Sequence, residues 1–446
     1  MTDLNYDVVV VGGGTAGAAA GIAAARRGAK TLIIEQLGAL GGTQTNGWVT
    51  PMMPNYLGDF KLDRGINLDL VDAQARVQTP GTGIAHGDVW FDPISLGLVM
   101  DRLATAAGAE CLFNATLIDT RCRAAGHLDA VEVVTRQGRL WIQGRTFIDA
   151  TGDGDLSRLA GAELMGGNED GIHQPMTLRF FMGNIDTERL RAAYGFWRAN
   201  TPDYLETGFG ESKDHAEFGP MVHQAIADGV LEEDDLGYFQ IFTMNGRPRE
   251  LGFNCPRISG LDPLDAFDLS RAYQVGREKI YRISAFMQRY LTGCEAAYVS
   301  GIAPMIGIRE SRRVVGEYIL TAEDHLECRK FPDAIARNRY PIDIHLKTGT
   351  DYRRFPEGEY HEIPYGSLVV KGLNNLWVAG RCLSADFVAQ SAVRIQPVCR
   401  SMGEAAGIAA ALCAQRNLAA QDLPYQDLEV YLDRVLPDGI GSSPIK

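Results

Sequence analysis

Residues Tyr6-Asp7-Val8-Val9-Val10-Val11-Gly12-Gly13-Gly14-Thr15-Ala16-Gly17 decide how this chain is read. A run of β-branched residues meets a G-x-G-x-x-G turn, and an alanine-rich stretch follows. Valine favours a strand and alanine a helix. Gly12 turns the chain sharply out of the strand. Gly14 lets backbone approach a pyrophosphate, and Gly17 lets the helix sit close to the sheet. The helix is expected from Thr15 and Ala16 to about residue 27, with free N–H groups and its positive dipole end toward that pyrophosphate. A second strand, Lys30-Thr31-Leu32-Ile33-Ile34, ends on Glu35. Glu35 lies 18 positions past Gly17, where a carboxylate meets an adenosine ribose. Its charge favours an unphosphorylated ribose over a 2′-phosphate. The plain alternative is a βαβ unit with a tight turn and no ligand. Strand, helix and acid together favour a dinucleotide.

A chain of 446 residues holds two or three domains and a sizeable core. Its 46% hydrophobic and 22% charged content is that of a soluble globular protein. The net charge of −13 argues against nucleic acid or an anionic membrane as partner. Met1-Thr2-Asp3-Leu4-Asn5 lacks a signal-peptide pattern, and no apolar run approaches the ~18 residues of a membrane span. The eight cysteines are scattered without a C-x-x-C pair, and no histidines stand at H-x-x-x-H spacing. Reduced thiols, a cytoplasmic location and no metal are the expectations.

After Glu35 comes a glycine-rich turn, Gly38-Ala39-Leu40-Gly41-Gly42-Thr43-Gln44-Thr45-Asn46-Gly47. Asp92 and Pro93 open a helical pattern through Ala107, with Asp92 as N-cap. Strand-like runs near Glu110–Phe113, Ala130–Thr135 and Leu140–Ile142 read as a small β-meander, and a further strand runs Arg145–Gly152 into Asp153-Gly154-Asp155. From about residue 163 to 340 aromatic strands mix with helices, including a long helical stretch over Pro263–Leu291 with room for a break. Asn200–Pro220 and Lys347–Glu362 read as loops and candidate lids. Asn375–Gly380 reads as a buried strand, and Ser401–Leu412 as a small-residue helix that either simply packs close on the sheet or also points its N-terminus at the cofactor. No second G-x-G-x-x-G occurs.

With these stretches in view, the chain resembles the flavin-dependent oxidoreductases of the glutathione-reductase-like superfamily. Within it, the chain is similar to the FAD-dependent oxidoreductase family, which runs from a Gly-Gly-Gly fingerprint to an Ala-Gly-Arg-Cys strand end. Val8–Glu35, Gly41-Gly42, Asp149–Leu156, Gly307–Glu317, Tyr340–His345, Ile363–Leu368, Asn375–Ser384 and Arg394–Leu412 carry the likeness in the family's order. The resemblance implies an α/β fold: a doubly wound Rossmann-type FAD-binding domain with a β-meander insert, plus a mixed α+β substrate domain. The division expected is residues 1–162 and 341–446 for the FAD-binding domain and 163–340 for the substrate domain. It also implies non-covalent FAD. Gly12, Gly14 and Gly17, with Thr15 and Ala16, would take the pyrophosphate, and Glu35 the ribose. Gly41, Gly42 and Thr43 would line the flavin side, and Ala150, Thr151 and Gly152 match a second cofactor-contact strand. Gly380 and Arg381 stand where many flavoproteins have Gly-Asp, so Asp386 and Glu404 become candidates for the missing ribityl-binding acid.

A flavin enzyme needs side chains that orient the substrate and move a proton. Gly307-Ile308-Arg309-Glu310-Ser311-Arg312-Arg313 puts three arginines within five positions. On a helix, Arg309 and Arg313 would share a face. Arg309 is the candidate facing the flavin or an anionic substrate, and Arg312 and Arg313 read as salt-bridged structure. His345, in an alternating strand pattern, has an ordinary pKa near ~6.5 that suits a general base, although strand histidines are often structural. Tyr365 and Arg394 read as packing partners, and His86 stands beside Asp88 and Trp90. The leading expectation is hydride transfer from a small polar, hydroxylated or anionic metabolite to flavin N5, by a dehydrogenase or oxidase. The alternatives are reduction of an activated C=C bond, with arginine as acid or clamp, and a flavin-binding electron-transfer component of a larger assembly.

Overall fold

In a computed structural model, β1 (Asn5–Val11), α1 (Thr15–Arg26) and β2 (Thr31–Glu35) follow one another as the spacing requires. The structure describes residues 4–77, 91–124, 126–201, 204–244, 246–345 and 350–432. His86, Asp88 and Trp90 lie outside the described residues.

β1 is the centre of a parallel sheet. It pairs with β2 on one side and with strand Gly138–Asp149 on the other. Glu110–Phe113 extends the sheet beyond β2, and Leu376–Val378 joins in parallel beside Gly138–Asp149. Two runs expected as separate strands, at Leu140 and at Arg145, are this single 12-residue strand. Its first half pairs antiparallel with His127–Thr135, which in turn pairs with Thr116–Ala124. The meander therefore shares a strand with the parallel sheet, because one long strand satisfies its backbone groups against different partners along its length.

Strand alternation sends Val8 and Val10 to one face and Val9 and Val11 to the other. All are buried, and each contributes on the order of 1.5–3 kcal/mol by leaving water. The Val8 face packs on α1 and on helix Gln396–Arg416. These two helices touch backbone to backbone. A Cβ on Gly403 would stand 2.1 Å from the Ala16 carbonyl, and one on Gly407 2.1 Å from that of Ala20. Helix Pro93–Ala107 starts as read, the Asp92 carboxylate accepting from the Ser95 N–H at 3.0 Å.

A six-stranded antiparallel sheet forms the second layer system. Its order is Ala199–Asn200, Leu205–Phe209, Phe239–Met244, Arg247–Phe253, Phe180–Gly183 and Tyr298–Ile302. Helix Ala266–Tyr290 covers one face and is unbroken over 25 residues. The segment read as a loop over 200–220 contains strand Leu205–Phe209. Its alternation buries Leu205 and Phe209 in the core and turns Glu206 and Gly208 to a cavity. Strands Thr350–Arg353 and His361–Pro364 likewise interrupt the second expected loop. Among the described residues no helix is long and apolar enough to cross a membrane.

Candidate active site

A cavity of about 1180 Å³ runs between the carboxyl ends of the parallel strands and the open face of the antiparallel sheet. Gly12, Gly14, Thr15, Ala16 and Glu35 line one end. Gly12 has φ +94°, and a Cβ there would stand 2.4 Å from the Ala150 carbonyl oxygen. Gly17 lies behind the wall, where a Cβ would come within 1.7 Å of the Gly12 carbonyl oxygen. The Glu35 carboxylate accepts from the Gly13 N–H at 2.7 Å and the Leu37 N–H at 2.8 Å. Burial raises its pKa, and those backbone donors oppose the rise. The Gly13 carbonyl accepts from the Gly41 N–H at 2.8 Å, which fastens the glycine-rich loop to the turn. Gly42 and Thr43 thereby reach the cavity wall, and Gly41 stays behind it.

Ala150, Thr151, Gly152, Gly380 and Arg381 line the middle. The Arg381 guanidinium pairs with Asp153 at 2.8 Å and donates to Ser311 Oγ at 2.8 Å. Asp386 and Glu404 are not on this wall. Asp386 caps helix Phe387–Val393 through the Ala389 N–H and also accepts from the Ala322 N–H. Glu404 accepts from the Ile66 N–H. Asp153, paired with Arg381, and Asp155 are instead the acids that line this stretch of the cavity. Helix Gln396–Arg416 begins five residues before the expected Ser401, so Gln396, not Ser401, borders the cavity.

The far end carries Arg309, Arg179, Arg394, Asp343 and His345. Residues 307–311 form no helix, and Arg312–Val314 is a short strand. Arg309 Nη1 donates to the Pro175 carbonyl at 2.6 Å and Thr177 Oγ1 at 2.7 Å. Burial lowers its pKa, and the charges of Arg257, Arg394 and Arg179 lower it further. Arg313 is a buried structural group bonded to Glu310 and to the Ala385 and Gly167 carbonyls. Arg312 pairs with Asp155 at 2.8 Å. Tyr365 is also structural, donating to the Ala420 carbonyl and accepting from the Trp377 indole.

His345 departs from its ordinary pKa. Burial and then the Arg309 charge push it down to about 3, so the imidazole is neutral near pH 7. Its Nδ1 accepts from the Arg257 guanidinium at 2.6 Å, since arginine only donates. The proton is therefore on Nε2, which faces Asp343 Oδ2 at 3.3 Å. Burial alone would raise the Asp343 carboxyl, but the hydrogen bond from His345 and the surrounding charges, Arg394 and Arg309 among them, hold it at about 2.

A family model described as FAD dependent oxidoreductase matches residues 7–432. The chain belongs to this family. It is an enzyme, and its cofactor is FAD. A comparison with curated protein sequences finds no match. Among solved structures, it is similar to a geranylgeranyl bacteriochlorophyll reductase-like protein from Thermoplasma acidophilum, at 14% identity and TM-score 0.41, over 96% of this chain and 82% of that one. The flavin-dependent brominase Bmp2 aligns at 13% identity and TM-score 0.46, over 96% and 82%. The p-nitrophenol 4-monooxygenase PnpA from Pseudomonas putida DLL-E4 aligns at 10% and 0.47, over 96% and 84%.

The glycine end of this FAD-dependent oxidoreductase fits a dinucleotide. A Cβ on Gly14 would meet no heavy atom closer than 4.0 Å, so protein packing does not require a glycine there. A ligand lying against the backbone would. The α1 N-terminus has no side-chain cap, which leaves its N–H groups for an anion. Gln396 Oε1, on the same cavity wall, has no hydrogen-bond partner among the described residues.

Arg179, Arg257 and Asp343 escaped the sequence reading. Asp343 had a signal, two positions before His345 on one strand and hence on the same face. Arg179 had one too. It interrupts a run in which Met176, Leu178, Phe180 and Met182 all enter the core. Among the described residues the acids close enough to share a cation are Glu232, Asp234 and Asp235. Lys279 at 2.7 Å from Asp234 and Arg282 at 2.7 Å from Asp235 already supply positive charge there.

Proposed function

We propose that this chain oxidises a small polar, hydroxylated or anionic metabolite, within the two-domain glutathione-reductase-like group of flavoproteins. The observation that carries this reading is the shared cavity. The end that fits a dinucleotide and the end that holds Arg309, Asp343 and His345 are one space. Gly12, Gly14, Thr15 and Ala16 would hold the pyrophosphate and Glu35 the ribose, with Gly42, Thr43, Thr151, Gly152, Gly380 and Arg381 along the rest of the cofactor. Bound FAD supplies a two-electron acceptor for a hydride.

The protein's own part is binding and proton movement. Oxidation of a carbinol releases the C–H hydrogen with its electron pair and the O–H hydrogen as a proton, leaving C=O. His345 is the proton acceptor in this reading. Its Nδ1 lone pair is held by Arg257, so the base is exposed only when Arg257 turns toward a ligand. Arg309 is the second cause of the low His345 pKa. A negative group beside Arg309 offsets that field and makes the imidazole a better base. Asp343 then holds the Nε2 proton and fixes the ring.

The test is anaerobic mixing of the FAD-loaded protein with hydroxylated and anionic metabolites while flavin absorbance is followed. Bleaching is expected with one chemical class. His345→Asn should slow it by roughly a hundredfold or more with FAD content unchanged. Failure of every alcohol and hydroxy acid, together with reoxidation of the reduced protein by an enoate, would overturn this reading in favour of C=C reduction.

A further inference from the structure

Two short strands, Met176–Thr177 and Phe180–Gly183, flank an extended link in which Leu178 enters the core with Met176 and Phe180, while Thr177 and Arg179 stand on the cavity wall. The Arg179 side chain is only 5% exposed. Its Nη1 has no hydrogen-bond partner among the described residues. Burial lowers its pKa to about 10, which still leaves it charged near pH 7. A buried guanidinium without a counter-charge is costly, and such charges in proteins are paired.

Arg309 stands in the same wall and is bound by neutral acceptors, the Pro175 carbonyl and Thr177 Oγ1. The groups it feels are Arg257, Arg394, Arg179 and Asp343, none of them from the glycine end. Asp343 is already engaged, at 3.3 Å by His345 and 4.0 Å by Arg394. Arg257, Arg309 and Arg394 therefore share one carboxylate, with Arg179 beside Arg309, and Arg179 and Arg309 have no acid of their own among the described residues. Planar arginine forks match oxyanions with two acceptor atoms on one side.

We infer that Arg179 and Arg309 form an oxyanion-binding subsite, and that the substrate carries a carboxylate or phosphate head group seated there. The inference rests on the proposed function for the word substrate, but the subsite stands on its own geometry. It narrows the hydroxylated-or-anionic class to its anionic members. The head group binds at the arginines, and the remainder of the molecule extends toward the cofactor end.

Glycerate, glycerol 3-phosphate and glycerol share a skeleton and differ in head group, so they serve as probes. Calorimetric titration of each into the FAD-loaded protein should show binding by at least one of the two anions and none by glycerol. Which anion binds tells carboxylate from phosphate. Arg179→Gln should weaken that binding by at least about tenfold, with Arg179→Lys between it and the parent. Binding of glycerol as tightly as the anions overturns the inference, and so does silence from all three. It also fails if Arg179→Gln loses FAD but keeps its anion affinity, because the arginine then serves the cofactor. If anions bind through Arg179 while no compound bleaches the flavin, the subsite stands and the proposed oxidation falls. If neutral alcohols bleach it and anions do not bind, the reverse holds.

Discussion

Around Gly12 and Gly14 the cavity wall is main chain, whereas around Arg309 it is side chain. The first end works by absence. Gly14 leaves space at the wall, and Gly17, Gly403 and Gly407 let backbone approach backbone. The second end works by concentrated charge, with Arg257, Arg309 and Arg394 set around Asp343 and Arg179 beside Arg309. A main-chain site tolerates no added methyl group behind it. A side-chain site tolerates change in shape but depends on protonation and on its counter-ion. The contrast matches the work proposed for each end. Every FAD molecule presents the same pyrophosphate, so a rigid cradle suffices there. Chemistry on a substrate requires groups whose charge responds to what is bound.

The largest effect that tests this contrast is expected behind the glycine end. Gly17→Ala would put a Cβ 1.7 Å from the Gly12 carbonyl oxygen, a contact with backbone that no rotamer change relieves. A loss of more than about 4 kcal/mol, or no folded protein, is expected from chemical denaturation. A Gly17→Ala protein as stable as the parent would show that the turn is not rigid.

Acid should act more moderately and with opposite signs at the two ends. The folded pKa of His345 is depressed from 6.5 to about 3, so the unfolded chain binds the proton first. Its stabilising contribution is present above pH 6.5 and is lost as pH falls toward 3. The loss is on the order of 3–4 kcal/mol, less than the full shift because Asp343 titrates with it. Glu35 has a raised folded pKa. Its contribution is present below its ordinary 4.5 and is lost as pH rises through the folded value. Denaturation curves from pH 7 to 4 should therefore be flatter for His345→Gln and steeper for Glu35→Gln than for the parent. Parallel curves for all three proteins would remove the electrostatic half of the comparison.

The smallest change separates ligand from fold. Gly14→Ala meets no protein atom within 4.0 Å, so the melting temperature of the FAD-free protein should not move. FAD binding should weaken by about tenfold to a hundredfold, read by fluorescence titration, because the methyl group occupies ligand space. A drop in stability without a drop in affinity would mean that Gly14 is there for packing.

The glycine end was legible because its logic is local. A strand, three glycines at fixed offsets, a helix and an acid 18 positions on all lie within 30 residues of each other. Their order forces the geometry. The Asp92 cap was legible for the same reason, since it depends on neighbours in sequence. Arg309 was picked from an arginine-rich run, but the helix expected around it does not exist, because residues on either side are held by long-range partners. The loop expected over 200–220 failed in the same way. Leu205–Phe209 gains its strand character from pairing with Phe239–Met244.

By itself, then, the amino-acid order determined the βαβ unit, the dinucleotide and, through the wider set of segments, FAD. Tertiary structure decided the rest. It brought Arg179, Arg257, Arg309, Asp343 and Arg394 together from separate elements, gave His345 a neutral ring with a fixed tautomer, and left Arg179 without an acid partner among the described residues. The reason is physical. A backbone cradle is set by φ, ψ and the room a missing Cβ leaves, which sequence writes directly. Charge and proton affinity depend on burial and on every neighbouring group, and those exist only once the chain has folded.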